Sequence, residues 1–273
     1  MMGFKNKTVW VTGASSGIGK ALAIQFSKLG ANVVLSSRKE SDLKEVEKQC
    51  QSNTFVLPLD LSFQDNFNEL VKKVSDQFGH IDVLINNGGI SQRSLASDTT
   101  LEVDRKLMEV NYFGTVGLTK AVLPVMQKQK SGHIITISSL SGKFGFFLRS
   151  AYSAAKFAQV GFFESLRLEE EKNNILISIV FPGFVRTNIS QNALSGDGEK
   201  HGKLDNNQEK GISPKKCAQD IINGILDEKH EIYTGGKEIL MVKVKRFLPH
   251  LFYKILRKQS VSYTHLRAHE TRP

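Results

Sequence analysis

A tyrosine and a lysine, Tyr152 and Lys156, stand four residues apart in a run of helix-forming residues. On a helix, this spacing places both side chains on one face. A phenol with a pKa of about 10 is a poor proton donor or acceptor near neutral pH. A lysine cation about 5 Å away, at an effective dielectric constant of about 20, would favour the phenolate by roughly 3 kcal/mol. The pair therefore indicates general acid–base chemistry, and we expect Lys156 to lower the pKa of Tyr152.

A hydroxyl group precedes this pair at Ser139, where a β-branched segment ends. It could present its oxygen to the same substrate atom as the phenol. The Tyr-x-x-x-Lys spacing alone also fits an exposed tyrosine and lysine on an ordinary amphipathic helix. The rest of the chain has to distinguish these two interpretations.

A glycine-rich turn near the N-terminus forms a phosphate-binding pattern. The β-branched residues 7–12 run into Gly-Ala-Ser-Ser-Gly-Ile-Gly at 13–19, and an apolar-periodic helix follows as far as Gly30. Small residues let backbone N–H groups approach a phosphate, and the N-terminus of a helix favours negative charge. The spacing G-x-x-x-G-x-G matches neither G-x-G-x-x-G nor the P-loop. The alternative is a glycine turn that binds no ligand.

The end of the second predicted strand, residues 32–36, indicates which nucleotide would bind. Ser37 and Arg38 follow it, with no acidic residue. An acid at this position usually receives the ribose 2′-hydroxyl of NAD, whereas a nearby arginine accommodates the 2′-phosphate of NADP. The sequence therefore favours NADP(H) over NAD(H). Otherwise Arg38 is an ordinary exposed cation.

Strand and helix patterns alternate along the chain. Further strands are predicted at 54–58, 81–85, 132–138, 175–181 and, at an edge, 231–234; helices are predicted at about 65–78, 101–126, 150–172 and 213–227. This alternation predicts an α/β fold, a single Rossmann-like doubly wound parallel sheet with helices on both faces. Residues 188–211 are polar and lack periodicity, which is typical of a lid or a disordered loop.

Composition narrows the class of protein. The 273 residues are 40% hydrophobic and 8% aromatic, which suits one globular domain. The net charge is +10, but the basic residues cluster only near the C-terminus and no recognition motif accompanies them, which argues against nucleic-acid binding.

The two cysteines, Cys50 and Cys217, form neither a metal-binding pattern nor a disulfide framework, and indicate a reducing compartment. Without a long apolar run or a signal peptide, we expect a cytoplasmic protein.

Several motifs occur in a fixed order: Thr12–Gly19, Asp60, Asn86–Gly89, Asn111, Ser139, Tyr152-x-x-x-Lys156 and Pro182-Gly183. Together they resemble the single-domain short-chain dehydrogenase/reductase family over about residues 5–234. Residues 87–94 and 149–152 resemble the group of members 7 and 7B within it. The chain departs from the family at Gly88, where most members have alanine. We also expect it to lack the N-terminal membrane anchor of the animal relatives.

The resemblance implies an oxidoreductase that interconverts a carbonyl and a secondary alcohol as a homodimer or homotetramer. It makes Tyr152 the general acid or base, and Lys156 the residue that lowers its pKa and holds the nicotinamide ribose. Ser139 would position the substrate oxygen, and Asn111 would anchor a water in a proton relay. The implied cofactor contacts are Gly13, Ser15, Ser16, Gly17, Ile18, Gly19, Arg38, Asp60, Leu61, Asn87, Gly88, Tyr152, Lys156, Pro182, Gly183, Val185 and Thr187.

Two rival functions share parts of this pattern. A methyltransferase that uses S-adenosylmethionine would not need the Tyr-Lys pair, and an acid usually ends its second strand. A non-catalytic NADP(H) sensor on the same fold typically lacks the tyrosine or the lysine. The expected substrate is a small molecule. Five apolar side chains could line a pocket for an apolar carbonyl compound: Phe144, Phe146, Phe147, Phe184 and Leu194. The same side chains could equally belong to the core or to a subunit interface.

The chain divides into three predicted parts. Residues 1–235 form the nucleotide-binding catalytic domain. Residues 236–260 form a basic amphipathic helix, because apolar and basic side chains alternate at 239–258; it would dock on its own domain, on a partner or on an anionic membrane surface. Residues 261–273 resemble translated sequencing-adapter read-through, so we expect them to be non-native.

Overall fold

The β-branched segments form a seven-stranded parallel sheet in the computed structural model, which describes residues 3–203 and 205–257. The strand order is β3-β2-β1-β4-β5-β6-β7. The strands are β1 Thr8–Thr12, β2 Asn32–Ser36, β3 Thr54–Val56, β4 Val83–Asn86, β5 Gly132–Ile137, β6 Ile175–Pro182 and β7 Glu231–Thr234. The predicted fold class is confirmed. The strand order reverses between β1 and β4, which is where open α/β sheets bind ligands.

Helices cover both faces of the sheet. They are α1 Gly17–Lys28, α2 Glu40–Glu47, α3 Phe67–Phe78, α4 Leu101–Met108, α5 Gly114–Gln129, α6 Ser150–Glu170, α7 Asn206–Glu209, α8 Pro214–Leu226, α9 Leu240–Phe247 and, at residues 249–257, α10. Apolar side chains of α1, α2 and α8 pack on one face, and those of α3, α5 and α6 pack on the other. Both faces of the strands are buried, as a sheet built by helical crossovers requires.

Two regions differ from the sequence-based expectation. The helix predicted over 101–126 is interrupted by a π turn, Glu109–Phe113, between α4 and α5. Such turns insert one extra residue per turn and are frequent at functional sites. The segment 188–211 contains the short helix α7, and Leu194 within it pairs with Gln92 in an isolated bridge. The segment thus contains some regular structure, and its interpretation as a lid or a disordered loop stays a prediction.

The C-terminal residues pack on the domain as two helices rather than one. Leu248 separates α9 from α10 and has an extended φ of −134°. Pro249 follows it, and the residue before a proline is disfavoured in helical conformation. Phe252 of α10 is buried, and its ring centre lies 5.0 Å from that of Phe144. Within the described residues, no helix is long and apolar enough to cross a membrane. The tail predicted at 261–273 lies outside them.

Candidate active site

Helix α6 brings Tyr152 and Lys156 to the carboxyl edge of the sheet. Both side chains are buried, and the lysine Nζ lies 5.7 Å from the centre of the phenol ring. Tyr152 packs among Val103, Leu107 and Leu194, so α4 and the loop after β6 both hold the ring in place. The spacing of the two residues thus places them together on one helix face, as predicted.

Charges around the phenol differ from the sequence-based expectation. Burial raises the pKa of Tyr152, while the charge of Arg149 and a hydrogen bond with Ser139 act to lower it. Burial also lowers the pKa of Lys156 to about 7. Lys156 is not among the groups that shift the pKa of Tyr152 here, so the effect assigned to it on the phenol stays a prediction. The cation whose charge acts to lower the pKa of the phenol is Arg149.

Gln159, which the sequence analysis missed, fixes the position of Lys156. The lysine Nζ donates hydrogen bonds to the backbone carbonyl of Ile137 at 2.8 Å and to Oε1 of Gln159 at 3.1 Å. The Nε2 of Gln159 donates in turn to the backbone carbonyl of Asn111 in the π turn. A glutamine three residues after the lysine on the same helix was the available signal.

The side chain of Asn111 clamps the loop after β4. Its Oδ1 accepts from the backbone N–H of Ile90 at 2.8 Å, and its Nδ2 donates to the Ile90 carbonyl at 2.9 Å. The amide is therefore engaged by the protein itself. The backbone carbonyl of Asn111, which accepts from Gln159, keeps a second lone pair for another donor. The water-anchoring role implied for Asn111 stays a prediction.

The glycine turn has the backbone geometry of an anion cradle. Gly13 has a φ of +63°, in the left-handed region, and a Cβ added at Gly19 would lie 2.3 Å from the Gly13 carbonyl oxygen. Helix α1 begins at Gly17 directly after the turn, and no side chain caps its first turn. Its N-terminal N–H groups can therefore bind an anion. These features fit the pyrophosphate of a dinucleotide.

Arg38 and Asp60 lie close enough at the ends of β2 and β3 to interact electrostatically. Burial acts to raise the pKa of Asp60, but hydrogen bonds from Ser62 and the charge of Arg38 produce a net lowering. The Oγ of Ser37, beside Arg38, is buried and has no hydrogen-bond partner. A hydroxyl of this kind is available to a ligand, and Arg38 adds positive charge beside it.

Residues at the end of β4 are held against the glycine turn. The Nδ2 of Asn87 donates to the carbonyls of Thr12 at 2.9 Å and Gly13 at 3.3 Å. A Cβ added at Gly88 would lie only 2.7 Å from a methyl carbon of Leu61. An alanine at position 88 would therefore require only a shift of the end of the flexible Leu61 side chain.

A cleft of about 880 Å³, counting its solvent-open part, brings nine of the nineteen predicted residues together. The predicted residues that line it are Ile18, Asn87, Ser139, Tyr152, Lys156, Pro182, Gly183, Val185 and Thr187. The other predicted residues do not line the cleft. Asn111 lies in the π turn. The rest lie at or near the glycine turn and the ends of β2 and β3: Gly13, Ser15, Ser16, Gly17, Gly19, Arg38, Asp60, Leu61 and Gly88.

The aromatic side chains considered for an apolar pocket have separate positions. Phe146 and Phe184 line the cleft, whereas Phe144 is buried against α10. Phe147 is 39% exposed, and Leu194 packs on the Tyr152 ring. The cleft also has polar lining residues that the site prediction did not include: Arg149, Gln208 and Glu238. The Oε1 of Gln208 is buried there without a hydrogen-bond partner.

Asp205 holds the loop after β6 to the site. Its carboxylate pairs with Arg93 at 2.7 Å and with Arg149 at 2.6 Å, and all three side chains are largely buried. Arg149 also donates to the hydroxyl of Ser91. The loop is therefore attached to both the segment after β4 and the start of α6.

A doubly wound parallel sheet with a glycine turn after β1 and a Tyr-Lys pair beside the switch-point cleft defines a Rossmann-type oxidoreductase. The family model described as short chain dehydrogenase matches residues 7–198. The chain belongs to the short-chain dehydrogenase/reductase family, whose members use NAD(H) or NADP(H).

Relatives with known names lie in one part of this family. The chain is 43% identical over 263 residues to the dehydrogenase/reductase SDR family protein 7-like of Drosophila melanogaster, covering 93% of this chain and 81% of that protein. It is 40% identical over 260 residues to member 7B of Mus musculus, covering 92% and 80%. It is 42% identical over 242 residues to member 7 of Homo sapiens, covering 86% and 71%.

Solved structures share the fold. A short chain dehydrogenase/reductase from Burkholderia phymatum in complex with NAD gives a TM-score of 0.80 at 20% identity, covering 92% of this chain and 96% of that one. A short-chain dehydrogenase from Streptomyces avermitilis gives a TM-score of 0.79 at 29% identity, covering 94% and 97%.

Proposed function

We propose that the protein interconverts a carbonyl group and a secondary alcohol, with Tyr152 as the general acid or base. The observation that carries this proposal is the Tyr152 hydroxyl at the cleft, hydrogen-bonded with Ser139 and within the field of Arg149. The phenol is protonated at neutral pH, and Arg149 and Ser139 act against the burial that raises its pKa, which favours donation of its proton to a carbonyl oxygen. Ser139 donates a hydrogen bond to the same oxygen and orients it.

The proposed cofactor is NADP(H), which supplies or accepts the hydride when bound. The residues of the glycine turn would hold the pyrophosphate, Lys156 and Asn87 the nicotinamide ribose, and Thr187 the carboxamide. Arg38 would bind the 2′-phosphate, with Asp60 beside the adenine. The preference over NAD(H) is supported by the position of Arg38 after β2, where no acidic side chain is available for a 2′-hydroxyl.

The proposed substrate is a small apolar carbonyl compound or the matching alcohol. Phe146, Phe184 and Ile189 give the cleft an apolar part, and the unpartnered Oε1 of Gln208 gives it one acceptor.

The proposed compartment is the cytoplasm. The proposed assembly is a homodimer or homotetramer, which is supported by Phe113 and Phe157, each about half exposed on the π turn and the neighbouring α6. We also propose that the catalytic domain ends at about residue 235 and that residues 261–273 are not native.

The test pairs fluorescence titration of NADPH with steady-state rates on an active substrate, found by screening apolar carbonyl compounds for NADPH consumption. Tyr152→Phe keeps the ring packing but removes the proposed proton donor. Its turnover should fall at least about a hundredfold, because general acid–base catalysis typically contributes 10²–10⁴-fold. Its affinity for NADPH should change little, because Lys156 rather than the phenol is assigned to the ribose.

Lys156→Met serves as the comparison and should weaken both turnover and NADPH binding. A Tyr152→Phe protein that turns over at the parental rate would refute the mechanism. Binding of NADPH without turnover of any carbonyl or alcohol would instead favour the sensor function.

A further inference from the structure

The two C-terminal helices are fixed to the domain along one side only. On that inner side, Phe252 is buried against Phe144, and the Nζ of Lys245 donates to the backbone carbonyl of Lys143 at 2.7 Å. These contacts set the orientation of both α9 and α10. They leave the opposite side, here called the outer face, directed away from the core.

Large apolar side chains are concentrated on the outer face. Phe247 and Leu248, at the break between the helices, are 72% and 55% exposed, and Leu251 follows one turn later at 46%. Leu240, at the start of α9, is 59% exposed. Single exposed apolar side chains are ordinary, but Phe247, Leu248 and Leu251 are close neighbours in the sequence, and such a group indicates a contact surface.

Basic side chains surround this apolar group. Lys243 and Lys254 are exposed, as is Arg246, which lines a groove that also contains Glu164 and Glu231. None of the three basic residues forms an ion pair with a carboxylate among the described residues. Glu238 is the one acidic residue in the sequence from 236 to 257, and its carboxylate accepts from the backbone N–H groups of Phe184 and Gly236. The outer face is therefore positively charged as well as apolar.

We propose that the outer face binds the surface of an anionic lipid bilayer. Exposed leucine and phenylalanine side chains match the boundary between headgroups and acyl chains, and lysine and arginine match anionic headgroups. A second copy of the chain is a poorer partner, because two copies of this face would bring like charges together. The helices lie on the bilayer rather than across it, since the inner side stays packed on the domain.

The experiment measures sedimentation of the full chain with vesicles of phosphatidylcholine alone and of phosphatidylcholine mixed with phosphatidylserine. Binding should require phosphatidylserine and weaken as salt is added. The variant Lys243→Glu/Arg246→Glu/Lys254→Glu should lose at least about a hundredfold in partitioning, because each basic residue near an anionic surface contributes roughly fivefold. Phe247→Ser/Leu251→Ser should also lose binding, although its charge is unchanged.

The matched control is Lys28→Glu/Lys128→Glu/Lys172→Glu, which makes the same charge change at exposed positions elsewhere. It should bind as the parent does. The proposal fails if the parent ignores anionic vesicles, if it binds phosphatidylcholine equally well, or if the control loses as much as the outer-face variant. It also fails if Phe247→Ser/Leu251→Ser dissociates an oligomer in light scattering, because the face would then be covered by a second copy.

Discussion

Arg149 donates a hydrogen bond to Asp205 at 2.6 Å, and this contact joins the start of the catalytic helix to the loop after β6. Arg149 also lies 5.9 Å from the centre of the Tyr152 ring, measured from its guanidinium carbon. The same guanidinium thus acts on the phenol and holds the loop. Asp205 neutralises part of that charge, so the position of the loop and the acidity of the phenol are linked.

Replacing Asp205 by asparagine should release the loop. The change leaves Arg93 and Arg149 largely buried without their shared carboxylate, and breaking a buried pair costs about 3–5 kcal/mol. Hydrogen exchange of residues 188–211 should accelerate more than that of the sheet. Asp197→Asn is the control, since its carboxylate accepts hydrogen bonds from Ser195 and Glu199 in the same loop and, among the described residues, has no ion pair. Equal acceleration in both variants would contradict this role of Asp205.

The sequence predicted the fold well because its signals are local. Alternating β-branched segments and apolar-periodic helices specify a parallel sheet, and the N-cap at Ser213 and Pro214 marks the start of α8 as expected. The break at Leu248 was missed, although Pro249 gave the signal. The π turn was missed because nothing in the helix-forming sequence around Asn111 marks an inserted residue.

The electrostatics of the site could not be read from spacing. The effect assigned to Lys156 assumed a fully charged lysine, and burial removes that condition. The role of Arg149 depends on Asp205, a residue 56 positions away that approaches only through the fold. Gln159 is likewise held by the backbone carbonyl of Asn111 in the π turn. No sequence pattern indicates that this carbonyl is free to accept its hydrogen bond.

Arg38→Asp should reverse the choice of nucleotide. The substitution removes the proposed contact to the 2′-phosphate and adds an acceptor for a 2′-hydroxyl. NADPH binding should weaken by about 2–3 kcal/mol, the range for a lost hydrogen bond to a charged group, while NADH binding improves. Lys39→Asp makes the same charge change at the next exposed residue and should leave the ratio of dissociation constants nearly unchanged. Equal affinity of the parent for both nucleotides would remove the basis of this prediction.

Substitutions of Gln159 should move the pKa of Lys156 in opposite directions. Gln159→Leu removes an acceptor for the ammonium group, so the lysine pKa should fall below its value of about 7. Gln159→Glu places a carboxylate there and should raise it, since an opposite charge at such distance typically moves a pKa by about 1–3. The measurement is the pH dependence of kcat/KM and of NADPH binding.

A purely structural role for Gln159 would move both variants in one direction or leave the pH profiles unchanged. Gln219→Leu is the control, because that side chain is exposed and donates a hydrogen bond to Asn223, far from Lys156 in sequence. It should leave both profiles as they are.

His133 should make the free energy of unfolding fall between pH 7 and pH 5. Burial, with a smaller effect of the charge on His230, lowers the pKa of His133 from 6.5 to about 4. In this interval the unfolded chain binds the proton and the folded chain does not, so stability is present above pH 6.5 and is lost as the pH falls towards 4. The loss of unfolding free energy at pH 5 should be roughly 2 kcal/mol.

Urea denaturation at pH 7 and at pH 5 measures this loss, and His133→Gln should lose less stability than the parent by about that amount. His250→Gln, at an exposed position, is the control, and an unchanged pH dependence in His133→Gln would show that another group is responsible.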